Sequence, residues 1–113
     1  MHEMSIASEV LRISLDTMSG AGGTRIGKIG IEIGALAGVE TEALRFCFDA
    51  VVRGTPAEGA ILEIETVEAE AFCDGCGAVF IPDGYVYGCP SCGEVTADLR
   101  KGRELRVSFI DTE

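Results

Sequence analysis

The chain has no tryptophan, a single histidine, and only nine basic residues against nineteen acidic ones, for a formal net charge of −10. So few Lys and Arg argue against a phosphate-binding surface, because nucleic-acid affinity comes largely from those side chains neutralising phosphates. A cation cargo or a basic protein partner suits the balance better. No hydrophobic run approaches membrane-spanning length, and the start lacks the basic and apolar regions of a secretory signal, so no membrane partner and a cytoplasmic location are expected. There is no nucleophile–base pair, phosphate loop or open metal site, so catalysis is not expected.

What is present fits one domain, or one domain with a small metal-stapled module: 113 residues, 47% of them hydrophobic. The one histidine is His2. It stands beside the α-amine, with backbone amides on either side and the Glu3 carboxylate next in line. An amine, ionisable amides and an imidazole on adjacent residues can close small chelate rings around one cation, and such donors suit Ni²⁺ or Cu²⁺.

Helical spacing covers about 4–18, with Met4, Ala7, Val10, Leu11, Leu15 and Met18 on one face and Ser5, Ser8, Glu9, Arg12 and Asp16 opposite. The run Ser19-Gly20-Ala21-Gly22-Gly23 ends it. Ile29, Ile31 and Ile33 alternate with Gly30, Glu32 and Gly34 as in a half-buried strand, the glycines leaving room for close backbone approach or a bulge. A second helix is expected over about 41–53, with Thr41 as N-cap. Its core stripe is Ala43, Leu44, Cys47, Ala50 and Val51, flanked by Phe46 and Phe48; Cys47 reads as a buried core thiol. A strand over 60–71 places Leu62 and Ile64 on one face, then changes face near Thr66, as a bulge would cause. A last strand over 104–111 carries Arg106, which could sit opposite the acids of the 60–71 strand. On this reading residues 72–95 are inserted between two neighbouring strands.

The other four cysteines form two copies of one design, Cys73-Asp-Gly-Cys76-Gly77 and Cys89-Pro-Ser-Cys92-Gly93. Two intervening residues let a tight turn aim both sulfurs at one point, and the following glycine lets amide N–H groups face the thiolates. The twelve residues between the pairs, 77–88, read as a hairpin turning at Pro82-Asp83-Gly84. Four thiolates so held suit tetrahedral, structural Zn²⁺. A mononuclear iron site or two adjacent disulfides are the other readings of the same ligand set.

These pieces together resemble the HypA family of hydrogenase-maturation nickel metallochaperones, along essentially the whole chain. The resemblance is carried by Met1-His2-Glu3-Met4-Ser5, Glu32-Ile33-Gly34-Ala35-Leu36, Glu40, Ala43-Leu44-Arg45-Phe46, Gly54-Thr55 and the twin cysteine pairs. It implies an α+β fold, two helices on a three-stranded mixed sheet with an inserted zinc-ribbon-like module. The nickel-binding domain would comprise 1–71 and 96–113, and the zinc module 72–95, between the second and third strands. It further implies a transferable Ni²⁺ held by the His2 imidazole and the main-chain nitrogens of Met1, His2 and Glu3, with Glu40 nearby. Structural Zn²⁺ would sit on Cys73, Cys76, Cys89 and Cys92. The implied partners are a HypB-type GTPase and the [NiFe]-hydrogenase large-subunit precursor, the protein itself being a monomer or weak homodimer. The alternative is a zinc-ribbon protein-interaction module with no nickel role.

Overall fold

The computed structural model describes residues 2–113. Helix α1 (His2–Gly20) is followed by β1 (Ile26–Gly34), α2 (Thr41–Val51) and β2 (Ile61–Val67). Five short strands come next: β3 (Glu70–Phe72), β4 (Val79–Phe80), β5 (Tyr87–Gly88), β6 (Val95–Thr96) and β7 (Leu99–Lys101). The long strand β8 (Leu105–Thr112) ends the chain. Two compact units result. The first comprises 1–32, 39–65 and 106–113; the second comprises 33–38 and 66–105 and so includes chain on both sides of 72–95.

The main sheet has the order β2-β1-β8. The Ile26 amide donates to Pro56 O and the Ala35 amide to Val67 O, so β1 and β2 run parallel with α2 as the crossover between them. Conversely, the Thr24 amide donates to Glu113 O and the Gly34 amide to Glu104 O, so β8 runs antiparallel to β1. The sheet is therefore mixed. This order corrects the expected neighbourhood of the second and last long strands, because both flank β1. The charge match runs through the middle strand instead: Arg106 pairs with Glu32, and Lys28 Nζ lies 3.5 Å from Glu63.

In the first unit, α1 packs against α2. Its buried stripe is Ile6, Ala7, Val10, Ser14 and Met18, so Met4 is exposed and Ile6 and Ser14 belong inside. A serine there keeps the stripe narrow, and its hydroxyl has no partner among the described residues. On α2, Leu44, Cys47 and Phe48 are buried, as is Val52 just beyond it, whereas Phe46 is 77% exposed and Ala50 also faces water. The cap is Glu40 rather than Thr41: its carboxylate accepts the Glu42 amide at 2.9 Å. A longer acid one residue earlier thus does what the threonine was expected to do, satisfying one of the helix's orphan amides.

The inward face changes near Thr66: Leu62 and Ile64 turn inward, Glu65 and Thr66 are both exposed, and Val67, Ala69 and Ala71 are the next inward residues. The strand ends at Val67, and β3 begins a second sheet of order β4-β3-β7. The expected hairpin over 78–87 is absent, since β4 pairs with β3 and β5 pairs with β6. The chain on either side of Pro82-Asp83-Gly84 thus belongs to two different small sheets.

Candidate metal centre

Two turns of the same construction build the sulfur cluster. In each, the amide after the second cysteine bonds back to the first: Gly77 N to Cys73 O at 2.8 Å and Gly93 N to Cys89 O at 2.9 Å. The first cysteine's own amide closes the turn, Cys73 N to Ala78 O and Cys89 N to Glu94 O, both at 2.8 Å. Gly77 and Gly93 have φ of 79° and 80°, the left-handed conformation that the repeated glycine was expected to permit.

The four sulfurs all lie within 4.8 Å of one another, with Cys73 Sγ–Cys92 Sγ at 3.5 Å and Cys76 Sγ–Cys89 Sγ at 3.7 Å. None is in a disulfide. A tetrahedron with metal–sulfur bonds of about 2.3 Å has edges of about 3.8 Å, so the sulfurs already stand at spacings a zinc ion would need. Cys73 and Cys89 are buried, while Cys76 and Cys92 are exposed. The closed set of four protein ligands suits a structural ion and leaves no position for a reacting water.

Amide donors face these sulfurs. At Cys89 the amide of Cys92 lowers the thiol, burial raises it, and the amide of Ser91 lowers it again, for a net value of about 7. At Cys92 the amide of Glu94 lowers the thiol, but hydrogen bonding with Cys73, burial and the other sulfurs push it up to about 12. Cys76 is also raised on balance: the Ala78 amide lowers it, and Cys89, burial and Cys73 outweigh that. Converging sulfurs therefore resist ionising together, and a bound dication supplies the missing positive charge. The cluster's core, Ala71, Cys73, Phe80, Tyr87 and Cys89, is widened by Leu36, Ala78 and Leu99. Leu36 comes from the loop after β1, a contribution that local spacing gives no sign of.

Of the other candidate residues, His2, Glu3 and Glu40 lie in the first unit. Met1 lies outside the described residues. His2, the first residue of α1, is exposed. Glu3 and Glu40 come together: the Glu40 amide donates to Glu3 Oε2 at 3.2 Å. That bond, with one from Glu3's own backbone and the charge of His2, holds the Glu3 carboxyl below the usual carboxylate range despite some burial. A lowered folded-state pKa means that this contact is in place above the ordinary carboxylate range and is lost as pH falls through the depressed value. Replacing Glu40 by alanine is expected to cost about 1 kcal/mol through the lost α2 cap, measured as a lower urea midpoint with no nickel present.

Fold and site define a small α+β protein whose four converging cysteine sulfurs are placed to hold one metal ion. Residues 1–112 match the family described as hydrogenase/urease nickel incorporation, metallochaperone, hypA. The hydrogenase maturation factor HypA of Geotalea daltonii is 50% identical over 110 residues, 97% of each chain. That of Chlorobaculum tepidum is 46% identical over 113 residues, all of both chains. The solution structure of the Ni metallochaperone HypA from Helicobacter pylori superposes with a TM-score of 0.71 over 97% of this chain and 96% of that one; at 21% identity it supports the fold. The chain belongs to the HypA family of hydrogenase maturation factors, which are nickel metallochaperones and not enzymes. The reading as an interaction module without a nickel role is thereby set aside. No helix among the described residues is long and apolar enough to cross a membrane.

Proposed function

We propose that this chain carries Ni²⁺ at its N-terminus, through the His2 imidazole and the main-chain nitrogens of Met1, His2 and Glu3, with Glu40 at the edge of the site. The ion at Cys73, Cys76, Cys89 and Cys92 is zinc, held permanently by the module 72–95; nickel belongs to 1–71 and 96–113, at the end bearing His2. The protein works in the cytoplasm, as a monomer or weak homodimer, receiving nickel with a HypB-type GTPase and passing it to the [NiFe]-hydrogenase large-subunit precursor.

The contact between Glu3 and Glu40 carries this reading. It ties the start of α1 to the start of α2 beside an exposed imidazole. A helix beginning at His2 leaves its first amides outside the helical ladder, where a metal can replace their protons. Few donors at an exposed end suit an ion that must be released, while four sulfurs suit one that stays. Copper(II) binds such nitrogens more tightly than nickel(II), so selectivity rests on geometry and on which metal is available.

Calorimetric titration of untagged, zinc-loaded protein with Ni²⁺ tests the proposal. His2→Ala is expected to weaken binding about a hundredfold, near 2.8 kcal/mol, and residues added before Met1 should weaken it comparably. Equal affinity in all three proteins would leave the N-terminus without a nickel role.

A further inference from the structure

Basic residues are scarce in this chain, yet Arg100, Lys101, Arg103 and Arg106 crowd into one short stretch. The first three line an open depression of about 260 Å³ in the second unit, together with Leu99 and Glu104. We infer that this depression is a docking site for a carboxylate side chain on an acidic segment of a partner protein.

The cations are not equivalent. Arg100 is occupied: Nε and Nη2 hold the two Asp98 oxygens at 2.7 and 2.9 Å, and its guanidinium lies 4.4 Å from the centroid of the Phe72 ring. It is fixed as a wall. Arg103 donates Nη2 to the hydroxyl of buried Tyr87 at 2.8 Å, a neutral partner that orients the guanidinium and leaves it further donors. Lys101 is exposed, and its ammonium has no hydrogen bond or ion pair among the described residues. Lys101 and Arg103 are thus a mobile charge and a held fork around one concavity, the pairing that a carboxylate fits.

Shape and charge narrow the occupant. The volume lies below the usual range for small-molecule pockets and is of side-chain size. Leu99, half-buried and packed against the sulfur cluster's core, gives the depression an apolar wall for the methylenes of a glutamate. Glu104, whose Oε1 accepts the Gly102 amide at 2.8 Å, puts a negative charge beside the site and disfavours a doubly charged phosphate. The net charge of −10 opposes polyanionic nucleic acid, and it limits an anionic occupant to the one or two charges that these clustered cations can offset. One peptide carboxylate is what remains.

The test is a titration of ¹⁵N-labelled, zinc-loaded full-length protein with the blocked tripeptide acetyl-Glu-Val-Glu-amide to millimolar concentration, followed by amide and arginine Nε–H shifts. Shifts centred on residues 99–104 and on Arg103 Nε–H are expected, fading as salt is raised. Lys101→Glu should weaken binding at least tenfold and Arg103→Gln severalfold, with the rest of each spectrum unchanged. His2→Ala should bind the peptide normally, which separates this site from the nickel proposal. No shift at these residues, equal binding of acetyl-Gln-Val-Gln-amide, or undiminished binding by Lys101→Glu would overturn the assignment. Tighter binding of inorganic phosphate than of the tripeptide would overturn it as well.

Discussion

Removing the dication from the four sulfurs with a chelator at neutral pH is expected to unfold residues 66–105 while leaving α1 packed on α2. The buried core around the cluster has five members, and two of them, Cys73 and Cys89, are ligands themselves. Its strands are two or three residues long apart from the ends it shares with the main sheet. Burial on this scale falls short of the cost of ordering the chain, as in other domains of such size. A structural zinc ion contributes about 10–16 kcal/mol in peptides with comparable sites. Without it, the raised thiols at Cys76 and Cys92 stay protonated and nothing draws the two turns together. The measurement is an amide correlation spectrum before and after chelation. Signals from the second unit should collapse to narrow dispersion, those from α1 and α2 should persist, and added zinc should restore the original spectrum. Dispersed signals from residues 66–105 in the metal-free protein would refute this account. Cys89→Ser should produce most of the same loss, because it removes a buried ligand and leaves the other three sulfurs short of a complete set.

The second large effect is expected at Gly34. A Cβ there would lie 2.1 Å from both the carbonyl carbon and oxygen of Gly102 and 2.5 Å from the Arg103 nitrogen. These are backbone atoms, pinned by the bonds from Gly34 N to Glu104 O at 2.7 Å and from Leu36 N to Gly102 O at 2.6 Å. Neither chain can retreat without breaking that ladder. Gly34→Ala is therefore expected to cost about 3 kcal/mol or more, seen as a fall in Tm of roughly 10–15 °C. Gly30 provides the control. Its Cβ would meet the Phe109 ring at 2.0 Å, but that ring is 39% exposed and can swing aside. Gly30→Ala should cost only about 1–2 kcal/mol and be largely rescued by Phe109→Leu. If Gly30→Ala proves the more damaging of the two, the close backbone approach at Gly34 is not what limits stability.

Both glycines were legible in the amino-acid string as places of close approach, though not what approaches them. Much else that depends on neighbours along the chain could be read there too. The 3.6-residue period marks both helices, the glycine-rich run after Met18 ends the first, and the isoleucine alternation marks β1. The paired Cys-x-x-Cys-Gly turns imply the metal centre, since two residues between thiols and a left-handed glycine are local geometry.

Contacts between distant residues were not legible. Alternation around Glu32, Glu63 and Arg106 fits several strand orders equally well; three-dimensional pairing alone put β1 in the middle and gave each outer strand its own ion pair with it. The Pro82-Asp83-Gly84 turn looks the same whether its arms join each other or two separate sheets, and the competing partners β3 and β6 decided the matter. Ser14 is buried and Phe46 exposed because of where α1 and α2 meet, which overrides side-chain hydrophobicity. Identity and spacing determined which atoms can bind metal; long-range packing decided that Glu3 meets Glu40, and that three cations line one hollow on an acidic protein.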